Sequence, residues 1–269
     1  MKNSKEYSKK ISALHNSLKR KHAKVEPVEF PTVVDSLIYG IISEKLTEKE
    51  TEAALKRFDG YFVDFNDLRV SRVEEIAELL GEDTPENREV ALSITKVLNR
   101  IYTENQQVTL EGIHKLGKRP ARQKFEKMEE LSRFAVDYCM LTALASHAIP
   151  LNENMVEYLK ANDLVDEQAD AATIEGFLAK QIPAKNGYEF YKLLRHESET
   201  NLKKTKAARK ESKTSTKSAG TKAKATTARA KKKAAAGKEK TAKAEKTTIT
   251  VKKVKKVKKE TAAKTKKKK

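Results

Sequence analysis

The chain holds a single cysteine, Cys139, in 269 residues. One thiol excludes an internal disulfide, a zinc site built on paired cysteines and a cysteine-held metal cluster. Long hydrophobic runs are missing too, since no stretch approaches the roughly 20 apolar residues that span a bilayer. The opening MKNSKEYSKK leads into no apolar core, so no secretory signal is expected and the expected location is intracellular. Histidine is scarce: His15, His22, His114, His147 and His196 form no i, i+4 ligand pair, and none lies near Cys or Asp at metal spacing. No metal and no cofactor are therefore expected. Ser43, Ser71 and Ser132 sit in no nucleophile-elbow context, and Gly112 and Gly117 do not make a phosphate loop. Asp59, Asp64, Asp67, Glu74 and Glu75 are the densest carboxylates, but their spacing is not that of a calcium loop. They read as helix caps and solvated faces.

What the chain has in abundance is charge, unevenly placed. Residues 201–269 carry 28 basic and 4 acidic side chains, and residues 1–24 carry 8 basic and 1 acidic. The remaining stretch, 25–200, carries 21 basic and 33 acidic, a net −12 inside a chain of net +19. This split predicts three parts: a basic amphipathic helix at 1–24, an acidic folded domain at 25–200, and a basic tail at 201–269.

In the first part Tyr7, Ile11, Leu14 and Leu18 recur at helical spacing among Lys9, Lys10, Lys19, Arg20 and Lys21. Such a helix suits docking on the domain, on a membrane surface or on DNA. Pro27 and Pro31 break it. From there to Thr200 the pattern is helical and no alternating strand stands out. Residues 32–46 are too rich in Val, Leu and Ile for a surface helix. Thr47 with Glu50 predicts a capping box, with Gly60 after that helix's end. Ser71 with Glu74 predicts a second box, and Gly81 a stop. Thr84-Pro85-Glu86 opens a helix to about Tyr102. Thr109 starts a short helix ending at Gly117, Asn152 caps another, and two more cover about 170–181 and 185–197. His147 is expected to hydrogen-bond the backbone of the Ile149-Pro150 turn. The expected fold is all-α, with about ten short helices.

The tail differs in kind. Residues 203–269 contain no aromatic, Leu or Met, and their only branched apolar residues are Ile249, Val251, Val254 and Val257. Such a segment cannot offset its chain entropy by burial, so disorder is expected. The valine–lysine triplets at 251–259 keep no α-helical face. In composition the tail is similar to linker-histone and bacterial histone-like tails. Lys231, Lys232, Lys233, Lys252, Lys253, Lys255, Lys256, Lys258 and Lys259 are the densest candidates for phosphate contact. Each neutralised phosphate releases condensed counterions, so binding should be salt-dependent and indifferent to sequence.

Two strings carry a family resemblance. PTVVDSLIYGIISEKL at 31–46 resembles the buried opening helix of the endonuclease III-like helix-hairpin-helix DNA glycosylases. SRFAVDYCMLTALASHAIPLNENMVEY at 132–158 resembles the stretch from that family's hairpin to its catalytic aspartate, where an Ile-x-Val-Asp turn opens a helix. The resemblance covers about 27–198 and implies a two-lobed, all-α glycosylase-like domain. It also implies that Asn152 stands at the aspartate position. Counting back from the turn, Phe134 stands near the nucleophilic lysine, and Met128–Phe134 replaces a glycine-rich hairpin. The family's four-cysteine iron–sulfur loop is absent.

One basic cluster lies just before the hairpin: Lys115, Lys118, Arg119, Arg122 and Lys124. It could contact phosphates, supply a displaced lyase lysine, or be a plain solvated surface. The leading expectation is a DNA-binding, nucleoid- or chromosome-associated protein. Its glycosylase-like core would have no standard chemistry and would be tethered to DNA by the tail. One alternative is a working glycosylase or abasic-site lyase on non-standard residues. Another is an acidic domain that binds a protein partner.

Overall fold

The computed structural model describes residues 4–201. The expectations for the tail, its lysines and its valine triplets lie outside these residues. The described chain is all-helical, with eleven α-helices, two 3-10 turns and no strand.

The chain begins with α1 (Ser4–Lys21), whose apolar stripe faces inward. Ile11 and Leu18 are buried, and His15 between them is buried as well. α1 lies on α10 (Ala171–Gln181), and its basic side chains reach α11 (187–201), with Lys19 2.7 Å from Glu189 and Lys21 2.6 Å from Glu197. Of the docking modes expected for this helix, the structure shows docking on the domain, with part of the basic face spent on holding it down.

The central element is α2 (Val33–Lys45), with ten of its thirteen residues buried. Burying one Val, Leu or Ile is worth roughly 1.5–3 kcal/mol, so an apolar helix can be stable only inside. It packs most extensively on α8 (Arg133–Thr142). Gly40 permits that approach: a Cβ there would lie 3.3 Å from both the Cα and the carbonyl oxygen of Ala135. Ser36 and Thr142 join the two helices by a 2.7 Å hydroxyl–hydroxyl bond. Around them stand α3 (Glu48–Tyr61), α4 (Phe65–Val70), α5 (Val73–Leu80) and α6 (Pro85–Asn105), with α5 and α4 lying on α6.

Several helix ends fall as expected. Thr47 and Glu50 form the capping box of α3, Thr84 accepts from the amide of Asn87 ahead of Pro85, and Gly81 ends α5 at φ 152°. Other ends move. Gly60 lies inside α3, because packing of the buried Phe58 outweighs the roughly 1 kcal/mol cost of a helical glycine. At α5 the expected Ser71–Glu74 box is absent; Arg72 is the N-cap, and only the return half of a box is made, by Glu75, because a guanidinium has no acceptor for the Glu75 amide. The Ser71 hydroxyl turns back to the Asp67 carbonyl at 2.8 Å, while Glu75 takes the Arg72 amide at 3.4 Å and its guanidinium at 2.9 Å. α6 continues past Tyr102 to Asn105 and stops at Gln106, in the left-handed region at φ 59°. The helix expected at 109–117 is only a 3-10 turn, Glu111–Lys115, and Gly117 instead opens α7 (Lys118–Glu126). The last helix begins later than expected, after a second 3-10 turn, Ala184–Asn186.

Candidate functional site

Helices α7 and α8 are joined by a short turn over 127–132, making a helix–hairpin–helix unit. The turn is closed by the Leu131 amide donating to the Met128 carbonyl at 3.0 Å. No residue in it has positive φ, so its glycine-free sequence is unstrained. Ser132 caps α8, accepting from the Ala135 amide at 3.1 Å.

Phe134, in the first turn of α8, is 3% exposed. It stacks on Tyr138 with ring centroids 6.3 Å apart and meets Tyr191 of α11 at 6.4 Å. Burial among these rings pushes the Tyr138 phenol well above its ordinary pKa. The position counted as the lysine site is thus an aromatic member of the core. Asn152 is also buried and caps α9 (Glu153–Ala161), its Oδ1 accepting from the Met155 amide at 3.0 Å. An extended cap conformation with one side-chain acceptor is what either Asn or Asp supplies equally well.

Phe134 and Asn152, eighteen positions apart in sequence, line one cavity of about 380 Å³. Its wall also includes Glu44 from α2, Glu153 and Glu157 from α9, and Glu175 from α10. Arg133 is the only basic side chain in that lining. Sequence reasoning found the two facing positions, through the turn before Asn152. It missed the glutamates: Glu153 and Glu157 follow Asn152 directly on α9, while Glu44 and Glu175 come from helices on either side in sequence.

Arg133 belongs to an ionic chain that ties three helices. Arg122 of α7 pairs with the buried Asp137 of α8, and Arg133 reaches Asp137 at 3.9 Å and pairs closely with Glu175. Burial, and then the neighbouring Asp137 carboxylate, push the Glu175 carboxyl up to about 7, against the opposing pull of Arg133. The cavity therefore holds a carboxyl near its midpoint at neutral pH. It holds no lysine amine.

Three of the five basic residues before the hairpin have partners within the fold. Arg122 is committed to Asp137, and also approaches Glu126 at 3.4 Å. Lys124 is 3.9 Å from Glu104, and the Lys118 amine donates to the carbonyl of Ala145, a residue at φ 45°. Lys115 and Arg119 are exposed. None of the five lines the cavity. His147 Nε2 donates to the Ala179 carbonyl at 2.6 Å, so it fastens the turn to α10 and not to the turn's own backbone. Among the described residues no group of His, Cys, Asp and Glu could hold a metal ion. No described helix is long and apolar enough to cross a membrane.

No protein-family model matches the chain, and no curated protein matches its sequence. Solved structures do match. An endonuclease III–DNA covalent intermediate superposes with a TM-score of 0.55 at 16% identity, covering 70% of this chain and 84% of that one. The Clostridium acetobutylicum 8-oxoguanine glycosylase/lyase bound to DNA gives 0.57 at 14% identity, over 74% and 71%. The H. pylori 3-methyladenine DNA glycosylase gives 0.53 at 14%, over 74% and 98%. These likenesses establish the fold: an all-α, endonuclease III-like glycosylase architecture, strongly diverged in sequence.

Proposed function

We propose that this is a DNA-binding protein whose glycosylase-like core has lost the lysine–aspartate chemistry and is carried on DNA by its basic tail. The observation that carries this reading is the cavity shared by Phe134 and Asn152. Where a lyase needs an amine to form an imine and a carboxylate beside it, this chain has a buried ring and a capping amide. A single positioned acid or base is worth roughly 10²–10⁴-fold in rate, so losing both groups removes the route. The three solved structures named above contain DNA or come from DNA glycosylases, which supports DNA as the partner. Affinity then falls to the 28 basic residues of 201–269, with Lys115, Lys118 and Arg119 as the core's remaining candidates for phosphate contact. One observation favours an active, non-standard glycosylase instead: Glu175, a carboxyl held toward its protonated form in the same cavity.

The test compares the full chain with a chain ending at residue 201. Both are titrated with duplex DNA and both are trapped with borohydride on abasic-site DNA. The full chain is expected to lose roughly 10³–10⁵ in affinity between 50 and 200 mM salt if about 6–10 phosphates are engaged. The shortened chain is expected to bind far more weakly and to give no covalent adduct. Turnover by the shortened chain on abasic or damaged DNA would refute the reading. Adduct formation by the full chain alone, without turnover, would be the tail's own lysine chemistry.

A further inference from the structure

A second concavity, of about 460 Å³, lies away from the Asn152 cavity, between the start of α2, α3 and α4. Its floor is aromatic, with Phe30, Phe58, Phe62 and Phe65 all in the lining, and its rim carries three aspartates, Asp35, Asp59 and Asp64. No Lys or Arg lines it. Val63 in the lining is 91% exposed, and Tyr61, whose ring meets that of Phe62 at 5.0 Å, is 57% exposed. Monomers seldom leave contiguous apolar surface of this kind without a use for it.

The aspartates are not there for the groove's own stability alone. Asp35 serves the capping box with Thr32, and Asp64 caps α4. Asp59 is exposed and has no hydrogen-bonding or ionic partner among the described residues. Two caps and one free carboxylate thus set a negative rim around a phenylalanine floor.

We propose that this groove docks a short segment of a partner polypeptide in which branched apolar side chains alternate with lysines. The apolar side chains would enter between the phenylalanines, and the lysines would meet Asp35, Asp59 and Asp64. Charge complementarity decides the sign: an acidic segment would be repelled, and an apolar segment without cations would leave the rim unpaired. The groove is separate from the Asn152 cavity, so this inference stands or falls independently of the DNA-binding reading. If both hold, the protein joins a partner to DNA.

The test uses the full chain without DNA, and a fluorescent peptide of the sequence ITVKKVKKVKK, which residues 249–259 of this protein supply as a ready example of the required composition. Saturable binding is expected. It should be lost when the lysines are changed to glutamate or the Ile and Val residues to serine. Asp59→Asn with Asp64→Asn should weaken it roughly two- to tenfold, as expected for two exposed ion pairs. Asparagine keeps the α4 cap, so this variant folds. Phe62→Ser should weaken it at least tenfold, and the exposed Val63→Ser by less. Absence of saturable binding, or binding indifferent to both the aspartate and the Phe62 variants, overturns the proposal. So does binding seen only after Val251, Val254 and Val257 of the full chain are changed to serine, because the groove would then belong to the chain's own segment.

Discussion

Two arginines hold helices together in this molecule, and they do it in opposite settings. Arg195 of α11 is 1% exposed and makes four bonds: to the carbonyls of Ser43 and Leu46 at 2.7 and 2.8 Å, to the Tyr191 hydroxyl at 2.8 Å and to Glu199 at 2.9 Å. The two carbonyls are those left over at the end of α2, which a helix cannot satisfy by itself. Arg133 has a side chain 57% exposed and serves two buried carboxyls at the mouth of a cavity. The first arginine has four of its five N–H donors matched by acceptors in the interior. The second has one partner, Glu175, that burial pushes toward its protonated form. A satisfied interior charge is architecture; a partly open one, facing a carboxyl near its midpoint, is where solution conditions can act.

The comparison breaks most visibly at Arg195. Arg195→Met fills the volume but leaves two carbonyls and Glu199 without their partner. Removing one member of a buried pair typically costs about 3–5 kcal/mol. A urea titration showing less than about 1 kcal/mol of loss would mean that Arg195 is not what closes α2. Glu175 sharpens the other side. Its folded pKa lies above its ordinary value, so the folded state holds more protons between pH 4.5 and about 7. Stability from this group is therefore present below pH 4.5 and declines as pH rises toward 7, by about 1–3 kcal/mol. Glu175→Gln should remove that decline, seen as a flatter midpoint-against-pH profile between pH 5 and 8. Parallel profiles for the two proteins would contradict the assignment. The smallest effect belongs to Asn152. Asn152→Ala should cost about 1 kcal/mol as a lost cap, and Asn152→Asp only a few tenths. If the aspartate variant were as unstable as the alanine one, the side chain would be doing more than capping α9.

Much of this architecture is legible in the sequence because it is local. Thr47 and Glu50, Thr84 and Pro85, Asn152 and Gly81 all act within four residues of themselves. The register of α5 is not legible in this way, because serine is the ordinary cap, whereas here Arg72 takes that position, donating to Glu75, and Ser71 faces back to the Asp67 carbonyl. The short 3-10 turn at Glu111–Lys115 has too few residues for its periodicity to separate it from a helix. Arg195 could not be read at all: its acceptors, Ser43 and Leu46, lie about 150 positions earlier. The candidate site divides in the same way. Phe134 and Asn152 follow from counting along one continuous stretch, while Glu44 and Glu175 enter the cavity from helices that only the fold brings near.

The contact between α2 and α8 gives the molecule an internal timekeeper. Cys139, the only thiol in the chain, is fully buried at that contact, with its sulfur 4.0 Å from the Val33 carbonyl. Burial pushes the thiol up to about 12, so almost none of it is thiolate at neutral pH while the helices stay together. Alkylating reagents attack the thiolate. Their rate on the native protein therefore counts how often the innermost pair of helices parts, without any label having to be engineered in.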